Sequence, residues 1–180
     1  MRDKERVVIT GRGVVSPCGE GLEAFWESVS NGRSGIGPIT RFDVSKFDSR
    51  IGGEVKNFDP SKVLGRKEVR HMDYFVQYAM VAAIEAMKDA GIDMSREDPY
   101  KVGVLVGSGI GGIGVIEKQH AILQEKGPDR VSPFLIPMLI VNMASGQISM
   151  HFGAKGPNSC VATACASGSH AIGDAFRLIQ

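Results

Sequence analysis

Asn158-Ser159-Cys160-Val161-Ala162-Thr163-Ala164-Cys165-Ala166-Ser167-Gly168 is the stretch on which the fold turns. Positions 158–162 read as a short strand. A run of small residues around a thiol follows, and from Gly168 a helical pattern continues to Gln180. A strand that turns sharply into a helix has the logic of a nucleophile elbow, where the turn lifts a reactive side chain into the open. Small neighbours permit such a turn. A helix N-terminus favours thiolate through its dipole and unpaired amides, and the same amides can hold an oxyanion when a thioester carbonyl is attacked. A second reading makes Cys165 a small buried hydrophobe, the usual place of a free cysteine. The stretch alone does not choose between them.

Moving towards the N-terminus, 153–157 is a Gly/Pro turn, and 142–152 has a helical pattern. Pro133 and Pro137 bracket what reads as a short apolar turn, and Gly127-Pro128 ends a helix expected over 113–125. Val102-Gly103-Val104-Leu105-Val106 reads as a buried strand running into Gly107-Ser108-Gly109-Ile110-Gly111-Gly112. That loop matches G-x-G-x-x-G between a strand and a helix, the form of a dinucleotide phosphate loop. No second strand ends in an acidic residue about 20 residues on, as the full fingerprint requires. A structural or substrate-lining turn is therefore favoured.

The strongest helical signal is 66–90, where Phe75, Ala79, Ala82, Ala86 and Ala90 recur at steps of four and three. Such a small-residue face permits close packing against a neighbour, and Gly91 is placed to end the helix. Residues 33–60 read as loop with short strands, one around 51–55. A short amphipathic helix is expected over 22–29, and 7–15 reads as a buried strand interrupted by glycines. Strands alternating with helices indicate an α/β sheet covered by helices on both faces. The pattern stops inside a helix at Leu178-Ile179-Gln180, which suggests a truncated sequence.

Composition excludes several classes. The formal net charge of +1 offers no broad attraction for nucleic acid or membrane surfaces. No apolar run reaches the roughly 18–20 residues of a membrane span. The start, Met1-Arg2-Asp3-Lys4-Glu5-Arg6, lacks a signal-peptide core, so a cytoplasmic protein is expected. The three cysteines, Cys18, Cys160 and Cys165, fit neither a disulfide framework nor a Cys-x-x-Cys metal site.

A thiol nucleophile normally needs a base or a charge partner. The histidines are His71, His120, His151 and His170. His170 lies five residues after Cys165, a spacing that turns it away from the thiol on a helix. None of the four makes a convincing partner. Arg66-Lys67-Glu68-Val69-Arg70-His71 is a basic cluster, read either as a solvated helix start or as a docking patch for an acidic partner.

Five ordered segments give a more specific result. They are Val8-Ile9-Thr10-Gly11 with Ser16-Pro17; Arg66-Lys67-Glu68 through Met72-Asp73; Gly107 through Gly112; Ser132-Pro133-Phe134 with Val141-Asn142-Met143; and Gly156-Pro157 with Ala162-Thr163-Ala164-Cys165-Ala166-Ser167-Gly168. Together they resemble the elongating β-ketoacyl-acyl-carrier-protein synthases, the synthase II type in particular, of the thiolase superfamily.

The resemblance implies an α/β, thiolase-like layered αβαβα fold, of which 1–180 would be the N-terminal half without its last strands. It implies that Cys165 accepts the acyl chain from acyl-acyl-carrier protein, that malonyl-acyl-carrier protein supplies the carbanion, and that the Cys165 amide is half of the oxyanion hole. It implies that Ile110 gates the acyl pocket. It places Leu135 in the segment that lines the partner's pocket in a homodimer, and Lys67 and Arg70 at basic positions that meet the carrier protein. His71 stands where a lysine is common. No cofactor, metal, nucleic acid or membrane is implied. The catalytic histidines and a supporting lysine belong to the family's second half, so these 180 residues alone are expected not to condense malonyl groups. A polyketide-type ketosynthase and a non-catalytic fragment are the alternatives. A chain-length factor commonly lacks the cysteine that is present here.

Overall fold

The computed structural model describes residues 6–180. The element that positions the site is a parallel pair, β5 (Val104–Gly107) beside β6 (Asn158–Val161). In register, Val104 faces Asn158 and Gly107 faces Val161, so both strands end at one level. The ladder runs one bond further at each end: Val104 N–H donates to the Pro157 carbonyl (2.8 Å), and Ser108 N–H to the Val161 carbonyl (3.0 Å). The other strands form small antiparallel pairs. These are β1 (Val15–Ser16) with β2 (Gly19–Glu20), and β3 (Ile36–Pro38) with β4 (Ile51–Gly53).

Seven helices are described: α1 (Leu22–Ser30), α2 (Arg66–Val69), α3 (Tyr74–Asp89), α4 (Ile113–Lys126), α5 (Leu135–Leu139), α6 (Met143–Phe152) and α7 (Ser167–Ile179). The core lies where α3, α6 and β5 meet. Val76, Met80 and Val81 of α3 pack with Leu64, Met72 and Ile148, and Val104 and Val106 close the cluster from the strand. None of the described helices is long and apolar enough to cross a membrane.

Three expectations are corrected. The helix expected over 66–90 is two helices. Asp73 is extended (ψ 165°), and the Gln77 amide donates to the Met72 and Val69 carbonyls, satisfying acceptors that the break would strand. Periodicity cannot register such a break, because the apolar positions stay in phase across it. The apolar turn around Pro137 is a short helix, α5. Proline is tolerated there because the N–H groups of a first turn have no intrahelical acceptor.

The third correction is the largest. No strand is formed over 7–14, and Ile9 is 84% exposed. Its backbone is tied to α3 by carboxylates rather than by a ladder. Arg12 N–H donates to Asp89 (2.9 Å). Val14 N–H and Leu22 N–H donate to the two oxygens of Glu85 (2.8 Å each). The expected close packing of the alanine face is present. Gly11 and Gly13 lie on it so tightly that a Cβ on Gly13 would sit 1.9 Å from the Ala82 carbonyl oxygen, and one on Gly11 2.2 Å from that of Ala86.

Glu85 is thus a two-handed clamp. Glu85→Ala is expected to destabilise the chain by about 1–3 kcal/mol for each backbone donor that water cannot reach. Glu85→Gln, which keeps one oxygen acceptor, is expected to lose less. Urea unfolding midpoints check this. Equal midpoints for wild type and Glu85→Ala would refute the clamp.

Candidate functional site

Because β5 and β6 end together, the segments that follow them share one end of the parallel pair, the usual place for a binding crevice in a parallel sheet. After β6 the chain makes a single 3-10 turn over Ala164–Ala166 and enters α7 at Ser167. Cys165 lies in that turn and is exposed, while Cys18 and Cys160 are half-buried. Burial pushes the Cys160 thiol above its ordinary range, and a bond from the Ser108 backbone only partly opposes this. Cys160 is accordingly a poor source of thiolate.

The turn is strained. Ala164 has φ +49°. Among the described residues only Asn57 is another non-glycine with positive φ. Asparagine tolerates that region, whereas for alanine it costs about 1–2 kcal/mol. Two side chains brace the turn. Ser167 Oγ accepts from Thr163 N–H (2.8 Å) and donates to the Ala164 carbonyl (2.7 Å). Thr163 Oγ1 lies 2.8 Å from His170 Nδ1. His170 therefore serves the elbow through Thr163, and the bond it makes is not to the thiol. At the start of β6, the Asn158 amide donates to the Ser145 carbonyl and Ser149 Oγ and accepts from Ser145 Oγ, fixing the strand on α6.

After β5, the loop 107–112 runs alongside. A Cβ on Gly107 would come within 2.3 Å of the Ser167 carbonyl, so the strand end touches the start of α7 directly. Gly109 faces Ala164 at ordinary contact distance. Ile110, next in line, is 65% exposed. Three of the loop's amides are committed within the fold and are not free to cradle a phosphate. Ser108 N–H bonds Val161, Gly111 N–H bonds Ser108 Oγ, and Gly112 N–H bonds the Leu139 carbonyl. That last bond joins the loop to α5, where Leu135 is half-buried. Among the described residues, no group of three or more His, Cys, Asp or Glu is arranged to hold a metal.

This arrangement, an exposed thiol on a strained strand-to-helix turn beside a glycine loop, accompanies a sequence match over nearly the whole chain. The model of the β-ketoacyl synthase N-terminal domain matches residues 4–180. The chain belongs to the β-ketoacyl synthase family.

Curated relatives agree. The chain is 53% identical over 178 residues to 3-oxoacyl-[acyl-carrier-protein] synthase 2 of Synechocystis sp., covering 99% of this chain and 43% of that protein. It is 48% identical over 180 residues to the protein of the same name from Staphylococcus aureus, covering 100% of this chain and 44% of that one. The chain thus spans less than half the length of the curated relatives it matches. Among solved structures, it is similar to a type II polyketide acyl-carrier protein in complex with its ketosynthase bound to the hexaketide. The TM-score is 0.80 at 26% identity, over 97% of this chain and 46% of that one. The expected α/β, thiolase-like fold is therefore the one observed.

The remaining expected site residues lie around α2 and α5. Lys67 and Arg70, both exposed, are on and just after α2. His71 stacks on Phe134 with ring centroids 3.8 Å apart, next to Leu135. Asp73 approaches Gly112, where a Cβ would lie 3.1 Å from its carboxylate. His71, at the end of the basic cluster, thus meets Phe134 beside α5, and α5 meets the glycine loop through the Gly112–Leu139 bond. Sequence reasoning missed Thr163 and Ser167. Their only trace is that hydroxyl residues stand two before and two after the thiol.

Proposed function

We propose that this chain carries the nucleophile of a β-ketoacyl-[acyl-carrier-protein] synthase of fatty-acid elongation, acting in the cytoplasm. The Cys165 thiolate attacks the thioester of an acyl-carrier protein. A bond forms between Cys165 Sγ and the acyl carbon, and the carrier's sulfur leaves as a thiol. Malonyl-carrier protein then loses carbon dioxide. The resulting carbanion attacks the enzyme-bound thioester, releasing Cys165 and a chain two carbons longer. The observation that carries this reading is the exposed Cys165 on its strained elbow. Identity of 53% to a fatty-acid-type synthase, against 26% to a polyketide ketosynthase, favours the fatty-acid class.

In this reading the Cys165 amide forms half of the oxyanion hole. Ile110 gates the acyl pocket, Leu135 lines the pocket of the second subunit of a homodimer, and Lys67 and Arg70 meet the acidic carrier protein. The histidine and lysine groups that complete the condensation are those the family resemblance places in its second half, while His170, the histidine nearest to Cys165 in sequence, is bonded to Thr163. The test incubates the full natural chain with an acyl-carrier-protein thioester and maps the modified peptide. Acylation at Cys165 is expected, with Cys160 and Cys18 unmodified. Acylation of Cys18 or Cys160 with Cys165 untouched would overturn the assignment. The 180 residues alone are expected to yield no β-ketoacyl product.

A further inference from the structure

We infer that Ser167 is the positioning residue of the Cys165 thiol. The inference rests on the reading of Cys165 as the acyl acceptor. Ser167 is 4% exposed, and its hydroxyl bonds span the turn. One goes back to Thr163 N–H. The other goes to the Ala164 carbonyl, which belongs to the peptide unit whose N–H is that of Cys165. Fixing that peptide plane fixes how the backbone enters Cys165, and so the direction in which Sγ leaves it. Ser167 cannot drift away from the turn. Its own backbone abuts Gly107 at the end of β5, in a space that a single added carbon would fill.

The geometry therefore transmits the position of a strand to a thiol through one hydroxyl. Ala164 makes the device necessary. Glycine would take φ near +49° freely, but would take many other conformations as well. Alanine avoids that region, so it stays there only while something holds it. An alanine under a latch gives one conformation, where an unlatched glycine gives several. Without the hydroxyl, Ala164 relaxes toward the right-handed region, the 164–165 peptide rotates, and the thiol swings off its line of attack. The Thr163–His170 bond, on the exposed side, does not reach the Ala164–Cys165 peptide and cannot substitute.

The test compares two reactions of the thiol in the full natural chain. One is acyl transfer from an acyl-carrier-protein thioester, which demands an oriented thiol. The other is alkylation by iodoacetamide, which demands only an accessible one. Ser167→Ala is expected to slow acyl transfer about ten-fold or more, equivalent to about 1.4 kcal/mol or more of barrier. Alkylation is expected to fall by less than about three-fold, since orientation matters mainly to the constrained reaction. Adding Ala164→Gly to Ser167→Ala is expected to recover part of the lost acyl transfer, at least about three-fold over Ser167→Ala alone, because glycine populates the turn without strain although not exclusively. Equal loss in both reactions, unchanged acyl transfer in Ser167→Ala, or no recovery in the double variant would each overturn the inference. If Ser167→Ala alone does not fold, the double variant still decides. Recovery of folded, acylating protein supports the latch, and a double variant that is equally unfolded overturns it. A wild type that never acylates Cys165 is a different failure: it removes the proposed function, and this inference with it.

Discussion

Cys165→Ala in the full natural chain is expected to reduce β-ketoacyl product formation by at least about 10⁴-fold, the scale on which removing a covalent nucleophile acts. The acyl-enzyme cannot form, so the difficult step is no longer divided into two. The loss should not come from unfolding. Cys165 is exposed and makes no bond on which the turn depends, so the change in stability is expected within about 0.5 kcal/mol. Cys165→Ser should be nearly as poor. A serine hydroxyl is almost wholly un-ionised near neutral pH, whereas a thiol readily gives the nucleophilic thiolate. Steady-state rates with acyl- and malonyl-carrier proteins, alongside thermal unfolding, check both halves. Product formation within ten-fold of wild type in Cys165→Ala would remove the nucleophile assignment.

Gly13→Ala is expected to be the most damaging change to the fold that a single added carbon can make. The new Cβ would lie 1.9 Å from the Ala82 carbonyl oxygen and 2.9 Å from the Ala86 nitrogen. Both are backbone atoms of α3 and cannot rotate aside. Either 7–14 leaves the helix or α3 shifts against Val76 and Met80 in the core. A loss above about 4 kcal/mol is expected, the range reserved for named structural failures. Gly146→Ala provides the contrast. In α6 the new carbon meets only Met143 Sδ at 3.9 Å, so helix propensity decides, and a gain of up to about 1 kcal/mol is expected. Denaturant midpoints of the two variants check the pair. Similar midpoints would mean that the close approach at Gly13 is not what holds 7–14 in place.

The parts of the fold that were legible are those in which local pattern and tertiary outcome coincide. β6, α6 and α7 follow their periodicity, and the elbow between β6 and α7 follows from a strand, a run of small residues and a helix in that order. The left-handed backbone at Ala164 was not legible. Glycine or asparagine would have announced it, whereas alanine announces the opposite. Segment 7–14 misled for a related reason. Val7, Val8 and Ile9 have the composition of a buried strand, but pairing depends on a neighbouring strand, and composition says nothing of that neighbour. Glu85 was invisible as a clamp because a glutamate on a helix usually faces water, and its backbone partners lie far back in the chain.

That distance has a consequence in time. The Val14–Glu85 bond joins residues 71 positions apart. At a synthesis rate of about 5–20 residues per second, 7–14 emerges about 4–14 seconds before the carboxylate that secures it has been made. During that interval the apolar Val8 and Ile9 have no fixed place. Segment 7–14 is thus made well before the helix that fastens it. A nascent chain stalled before α3 is the form in which this protein is most open to capture by a chaperone or by another copy of itself.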